Sequence, residues 1–481
     1  MSDDKKSFYV TAPIFYPNAN LHMGHAYSTV LADCIARYKR LSLDKKDVYF
    51  LVGADENTEK VVRAAVSAAI NTNEYLDTIV SNFKTLFSEL EISYDQFIRT
   101  TDSVVHWPGA IEVWNRLVKA HDLEKRPYEG LYCVGHESFI TEKELVNGLC
   151  PDHNEAPQRL QEENWFFKLS KYTSRIKEKI ESNELLIFPE TRRNEILAQL
   201  ERGLEDVSFS RPIEKMSVGI PVPNDPTQKM YVWCDALTSY ISALGFGSRD
   251  DSPFKKFWPA DVHVIGKDIL RFHAAIWPGM LLSAGIALPK KIFVHGFIRS
   301  GGKKMSKTLG NVIDPRALVK EYGAEAVRYY LMRHISPFED GELNLEGFKE
   351  AYNANLANGL GNLANRIMKM AESNLSVPVE IPPNTIPQNF LDAMDSFDIK
   401  KATDIVWSLA ASLDERIQTT APFKLVKTDR PKAEEIIQRL VIDLYTVARM
   451  LNPVMPLTSD KIKKAVKENK MPNISLFPRK E

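Results

Sequence analysis

An apolar stretch, Phe8-Tyr9-Val10-Thr11-Ala12-Pro13, leads into His22-Met23-Gly24-His25. A second apolar pattern follows from Tyr27 to Leu41, where Val30, Cys34, Ile35 and Tyr38 recur at helical spacing. No other feature narrows the fold as far, because strand, turn and helix in quick succession form the opening unit of an α/β protein. A helix N-terminus offers free N–H groups and partial positive charge, which suits phosphate. Two imidazoles there can donate to triphosphate oxygens. The glycine between them lets a flat ring lie against bare backbone. Taken alone, the four residues fit equally well a capped helix carrying two surface histidines.

A distant run, Lys304-Met305-Ser306-Lys307-Thr308, shifts that balance. It leaves a cationic tip, Ser300-Gly301-Gly302-Lys303-Lys304, that follows an apolar strand at Ile292-Phe293-Val294-His295-Gly296-Phe297. Lysines on a mobile tip can close over phosphate as charge develops in a transition state, although a solvated basic turn has the same composition. Both runs in one chain, in this order, imply chemistry on a triphosphate.

The 481 residues allow two to four domains. Residues 1–120 read as the first half of an α/β catalytic domain. Its strand Asp47-Val48-Tyr49-Phe50-Leu51-Val52 ends at Gly53-Ala54-Asp55-Glu56, and carboxylates past a strand end lie where open parallel sheets bind ligands. Residues 121–232 change character and read as a connective insert with a charged helix from Lys171 to Glu184. The α/β pattern returns over 233–300 with Asp261-Val262-His263-Val264-Ile265-Gly266. Residues 301–345 hold the lysine loop and a connecting region, and 346–481 read as helical with a proline-rich linker from Val377 to Pro387.

A net charge of −1 argues against indiscriminate nucleic-acid binding, so any such contact must come from local patches. Four cysteines do not make a disulfide scaffold. No apolar run reaches membrane-spanning length, and the start of the chain is short and polar, so a cytoplasmic protein is expected.

Three constellations stand out. Ile269, His273 and Trp277 recur every four residues after Gly266-Lys267-Asp268, and Trp233, Ala236 and Tyr240 align on a second helix. Two aromatic helix faces could enclose a slender apolar side chain; core packing is the plain alternative, and Asp268 and His273 favour a ligand. Cys133-x-x-His136 and Cys150-x-x-His153 have the spacing of a tetrahedral zinc knuckle, against a metal-free remnant of one. Leu356, Leu360, Leu363, Ile367 and Met370 form a core stripe beside Asn362 and Arg366.

With these residues in view, the chain resembles the class I aminoacyl-tRNA synthetases, and among them the methionyl-tRNA synthetase family, over nearly its whole length. Thr11-Ala12-Pro13-Ile14-Phe15-Tyr16-Pro17-Asn18-Ala19 resembles the lead-in to the first signature, and Lys304 to Asn311 the second, with Thr308 where Ser is usual. The resemblance implies a Rossmann-like class I synthetase catalytic domain with an inserted zinc-knuckle-type connective domain, followed by an all-α anticodon-binding domain. It implies a methionine pocket of Ile14, Tyr16, Asp55, Trp233, Ala236, Tyr240, Ile269, His273 and Trp277. Asp55 would hold the ammonium group, and Tyr240 could donate a weak hydrogen bond to sulfur. ATP would meet His22, Gly24, His25, Asp268, His295, Lys304 and Lys307. Arg211, in Asp206-Val207-Ser208-Phe209-Ser210-Arg211, would work near the reacting groups.

The anticodon readers would be Asn362, Arg366 and Phe423, with phenylalanine where the family has tryptophan. Asn57-Thr58 replaces the usual His-Gly after Asp55-Glu56. The implied activity joins methionine to tRNA(Met) through methionyl-adenylate, with Mg²⁺ accompanying ATP, structural Zn²⁺ in the insert, no separate editing domain and a monomeric state. Two rivals stay open: another nucleotidyltransferase sharing the His-x-Gly-His run, and a non-catalytic tRNA-binding paralogue.

Overall fold

The computed structural model describes residues 7–480 except 134–137, 141, 143–144, 152–153, 217, 306–310, 384 and 472–475. By its internal contacts the chain forms two compact units. The first takes in residues up to Asn20, Lys45–Thr85 and Tyr94–Val294; the second takes in Leu21–Asp44, Leu86–Ser93 and the chain from His295 onward.

The first unit is built on a six-stranded sheet in the order Gln96–Arg99, Val48–Ala54, Phe8–Phe15, Val262–Gly266, Lys291–His295, Leu186–Phe188. Phe8–Phe15 pairs in parallel with both of its neighbours, as do Val48–Ala54 with Gln96–Arg99 and Lys291–His295 with Leu186–Phe188. These strands are near-continuous apolar runs because both faces are covered. The register between the two leading strands slips between Thr11 and Ile14. Pro13 lies in that gap and has no N–H for the ladder, so the strand bulges and re-aims Ile14. Asp55, Ile14 and Tyr16, and Lys267–Ile269 all leave carboxyl ends of parallel strands, the edge where such sheets bind ligands.

The stretch 121–232 is more broken than its composition suggests. Leu123–Cys133 and Gln158–Phe167 form the long hairpin of a four-stranded sheet, and Ser210–Pro212, Pro221–Val222 and Asp225–Met230 make a three-stranded one. Between them, Leu186–Phe188 returns to the edge of the parallel sheet. The apolar run Leu185-Leu186-Ile187-Phe188 is short and sits between charged helices, so its composition is lost in theirs.

Two segments are π-helical, Phe272–Ile276 and Tyr352–Gly361. In the second unit the latter runs into Asn362–Asn374, which packs with Ile399–Thr420, Arg430–Leu451 and Pro456–Glu468. Leu356, Leu360, Leu363 and Ile367 are buried as expected, but Met370 is only partly so and Met368 takes the core position. Within the regular helix Asn362–Asn374 the buried face takes Leu363, Ala364, Ile367, Met368 and Ala371, a stripe to whose side Met370 falls. Among the described residues, no helix is long and apolar enough to cross a membrane.

Candidate active site

In the first unit one cleft is lined by Pro13, Ile14, Tyr16, Asp55, Trp233, Ala236, Leu237, Tyr240, Ile269 and His273. Eight of the nine expected pocket residues thus meet in one place. The ninth, Trp277, is fully buried behind them, its ring 6.3 Å from that of Tyr240. The π turn explains the split: Ile269 to His273 keeps helical spacing, whereas the extra residue per turn over Phe272–Ile276 rotates Trp277 off that face. Trp233 stacks on Phe272 with centroids 3.4 Å apart, and Lys60 Nζ stands 4.3 Å from the Tyr16 ring centroid.

The polar groups of the cleft have defined protons. His273 Nδ1 lies 2.9 Å from the Ile269 carbonyl, which can only accept, so Nδ1 carries hydrogen and Nε2 is the acceptor. Tyr240 therefore donates to His273 Nε2 at 2.8 Å. The phenolic hydrogen expected to reach a thioether is already engaged, and the face Tyr240 can offer a ligand is its oxygen lone pairs and ring. Burial pulls the His273 pKa down to about 4, against the opposing effects of the Ile269 carbonyl and Asp268. Burial, then the Asp55 carboxylate, raise the Tyr240 phenol well above its ordinary value. Asp55 itself is only 2% exposed. Behind the cleft, Trp277 Nε1 donates to His263 Nε2 at 3.4 Å and His263 Nδ1 lies 2.8 Å from Thr11 Oγ1, so this second histidine is held within the core.

Asp268 is exposed at the end of Val262–Gly266. Arg211 is buried, 2.9 Å from Glu162 Oε2, with its guanidinium 4.6 and 4.4 Å from the Tyr132 and Tyr231 ring centroids. It borders a cavity of about 230 Å³ together with Asn57, Thr58 and Tyr132. Asn57 and Thr58, the departures from the resemblance, both have work here. Asn57 Nδ2 donates to Asp235 and to the Thr100 carbonyl, and Thr58 caps the helix Glu59–Ser67 by accepting from Val61 N. The partners of Asn57 lie far away in the chain and leave no mark beside it, whereas Thr58 acts locally, three residues from the N–H that it caps.

In the second unit His22 caps the helix Met23–Lys39. Its Nδ1 accepts from Gly24 N at 3.0 Å, and His25 Nδ1 accepts from His22 N at 3.1 Å. Since both Nδ1 atoms accept backbone hydrogen, each ring keeps its own hydrogen on Nε2, the atom left to donate outward. A Cβ at Gly24 would stand 2.8 Å from His22 Cε1, so any other residue would push the cap away. His295 is buried with both nitrogens engaged, Nδ1 at 2.8 Å from the Gly296 carbonyl and Nε2 at 2.7 Å from Ser28 Oγ. Its place is under the first turns of this helix.

Ile298–Ser300 and Lys303–Lys304 form the expected hairpin, turned by Gly301 and Gly302 at φ 63° and 73°. Both Cβ positions face open space, so conformation alone calls for glycine. Met305 is buried. The Lys304 side chain, and Ser306, Lys307 and Thr308, lie outside the described residues.

Cys133 and Cys150 are buried thiols. His136 and His153 lie outside the described residues, and among those described no group of three or more His, Cys, Asp or Glu is placed to hold a metal. On the helical side Asn362 is exposed, Arg366 pairs with Asp414, and Phe423 is 52% exposed on Pro422–Leu425.

Comparison with known proteins adds a separate line of evidence. The family described as "tRNA synthetases class I (M)" matches residues 8–159 and 153–368, and the "anticodon binding domain of methionyl tRNA ligase" matches 384–475. The methionine–tRNA ligase of Clostridium perfringens is 42% identical over 474 residues, covering 95% of this chain and 73% of its own length. That of Thermotoga maritima is 39% identical over 484 residues, covering 97% and 76%. The Mycobacterium tuberculosis methionyl-tRNA synthetase in complex with methionyl-adenylate superposes with a TM-score of 0.88 at 37% identity, over 95% of this chain and 93% of that one.

Proposed function

The chain belongs to the class I methionyl-tRNA synthetases, and from that premise we propose how its residues divide the reaction. The enzyme activates methionine with ATP and passes the methionyl group to tRNA. A methionine carboxylate oxygen attacks the α-phosphorus, the bond to the bridging oxygen breaks and pyrophosphate leaves. A hydroxyl of the terminal tRNA ribose then attacks the carbonyl carbon and AMP leaves.

Asp55 takes the methionine ammonium group, and the apolar walls of Ile14, Trp233, Ala236 and Ile269 take its side chain. What supports this is the cleft itself: one buried carboxylate in an otherwise apolar, aromatic slot with a neutral Tyr240–His273 pair at its side. A slot with a single buried charge suits an amine at one end and an uncharged chain at the other. His22 and His25 donate from Nε2 to the triphosphate beside Gly24. Lys304 and Lys307 meet charge developing on the leaving pyrophosphate, and Asp268 meets the ribose. His295 acts as a positioning residue under Ser28, and Arg211 with its two tyrosines borders the space next to the reacting groups. Mg²⁺ enters with ATP as counter-charge to the triphosphate.

Asn362, Arg366 and Phe423 read the anticodon of tRNA(Met). Cys133 and Cys150, with His136 and His153, hold structural zinc; two buried thiols in one insert support this, and metal analysis of protein purified without chelator tests it. The proposal takes the enzyme as a cytoplasmic monomer, which fractionation and sedimentation test. The activity is tested by ATP–pyrophosphate exchange against all twenty amino acids. Of the twenty amino acids, methionine alone is expected to support exchange; no exchange with any of them would leave the two rivals, a nucleotidyltransferase with another acceptor and a non-catalytic paralogue.

A further inference from the structure

Behind the cleft lies a connected set of buried polar groups that the chemistry above does not use. His106, at the start of the helix Trp107–Lys119, turns Nε2 to the Asp235 carboxylate and Nδ1 to Ser242 Oγ, 2.8 Å away. The other Asp235 oxygen accepts from Asn57 Nδ2 at 2.7 Å, and the same amide nitrogen donates to the Thr100 carbonyl at 2.9 Å. His106, Asp235 and Ser242 are fully buried and Asn57 is 1% exposed. The trio of serine, histidine and aspartate is not a nucleophile. Its imidazole meets serine through Nδ1 and aspartate through Nε2, the reverse of a hydrolytic triad, and no substrate reaches a fully buried hydroxyl.

What matters is which elements the set ties together. Asn57 stands two residues after Asp55 on the loop leaving Val48–Ala54. Asp235 stands on the helix Val232–Ser242 between the cleft residues Trp233 and Ala236, and Ser242 ends that helix. Asn57 thus fixes the distance from the Asp55 loop to the helix, while His106 and Ser242 fix the rotation of the helix about its axis. The two helices also leave no room to slide: a Cβ at Gly109 would lie 2.6 Å from Ser242 Cβ.

We propose that Asn57, Asp235 and His106 are positioning residues for the amino-acid substrate. They hold Asp55, at the ammonium end of the cleft, in register with Trp233 and Tyr240 along its apolar part, and so set the side-chain length the enzyme accepts. The proposal rests on the methionine reading of the cleft. A loosened register weakens contacts at both ends of the substrate at once and tolerates a chain one methylene longer, while leaving the ATP groups untouched.

The test is pyrophosphate exchange by the full-length chain with L-methionine and with L-ethionine, for Asn57→Ala, His106→Ala and His106→Gln. In the alanine variants the methionine KM should rise about tenfold, with kcat and the ATP KM within about twofold of the parent. The ethionine-to-methionine ratio of kcat/KM should rise about fivefold. Glutamine, whose amide can donate near the position of Nε2, should restore most of the methionine KM. If methionine and ATP parameters decline together in step with the melting temperature, or glutamine restores nothing, the set is ordinary core and the proposal is overturned. Should His106→Ala not fold, an unchanged methionine KM in Asn57→Ala overturns it as well. A parent enzyme without methionine-dependent exchange would instead remove the reading of the cleft, whatever the variants do.

Discussion

The cleft proposed for the amino acid and the Asn362–Arg366 helix face proposed for the anticodon are surfaces of opposite construction. In the cleft every polar group is buried, and the Tyr240, His273 and Ile269 hydrogen bonds run in one direction. On the helix face Asn362 is exposed, and Arg366 pairs with an Asp414 whose side chain is itself 40% exposed. The difference is the one that the two proposed ligands call for. A small zwitterion offers few contacts, so its site must be dry and pre-formed, where each charge counts for more. An RNA loop offers many contacts, and its readers can stay solvated until bases arrive, at little cost to folding. Changes in the cleft should therefore disturb binding and stability together, and changes on the helix face should disturb RNA alone.

The largest expected effect is at Asp55. Asp55→Ala removes the one buried carboxylate lining the cleft, and methionine affinity should fall by about 2–5 kcal/mol. Calorimetric titration of methionine measures it directly. The same loss in Arg366→Ala would break the comparison, because a solvated helix face has no means of weakening a small ligand in the cleft.

Next in size is the Tyr240–His273 pair. Tyr240→Phe leaves the buried His273 Nε2 without its donor and should lower stability by about 1–3 kcal/mol. The pH dependence sharpens the point. Burial holds His273 at about 4 in the fold, against an ordinary value of 6.5. Between those values the unfolded chain binds the proton and the fold does not. The stability due to neutral His273 is therefore complete above the unfolded value and declines as pH falls from about 6.5 towards about 4. Unfolding midpoints measured across that range should fall, and His273→Phe should flatten this part of the curve.

The elements whose signal is local were legible in the sequence. The strands Phe8–Phe15, Val48–Ala54 and Val262–Gly266, the cap at His22 and the glycine hairpin at 301–302 all follow from apolar runs, capping chemistry and turn residues. The cleft was legible as far as helical spacing held. At Trp277 the spacing misleads, because the π turn over Phe272–Ile276 adds a residue without marking the sequence and sets that ring behind the cleft face. The direction of the Tyr240 hydrogen was hidden because it depends on the Ile269 carbonyl, a backbone atom. Asn57 was readable only as a departure, since its partners Asp235 and Thr100 lie 178 and 43 positions away.

On the other side of the comparison, Arg366→Ala should lower kcat/KM for aminoacylation of tRNA by about 2 kcal/mol, the worth of a two-pronged contact to a base edge. Pyrophosphate exchange should not change. Stability should move by less than about 1 kcal/mol, because both partners of the Arg366–Asp414 pair are more than a third exposed. Charging of a tRNA with an altered anticodon provides the control: if it is charged as well as the normal one, this helix face is not the reader.

The smallest effect is expected at Phe423, and it is the most exacting test of the contrast. The ring is 52% exposed, on a four-residue helix held by Ala421 in a left-handed conformation at φ 43°. A ring so exposed contributes little to folding, so Phe423→Ala should shift stability by no more than about 0.5 kcal/mol. It can still stack on an unstacked base, and its loss should lower aminoacylation by about 1 kcal/mol, the low end of what one base–aromatic stack provides. Phe423→Trp separates the two contributions, because an indole enlarges the stacking face without entering the core. Aminoacylation that rises with tryptophan and falls with alanine, at constant unfolding midpoint and constant pyrophosphate exchange, places the ring among the solvated readers. A midpoint that falls with alanine as steeply as in Tyr240→Phe would place Phe423 with the buried groups of the cleft and erase the distinction between the two surfaces.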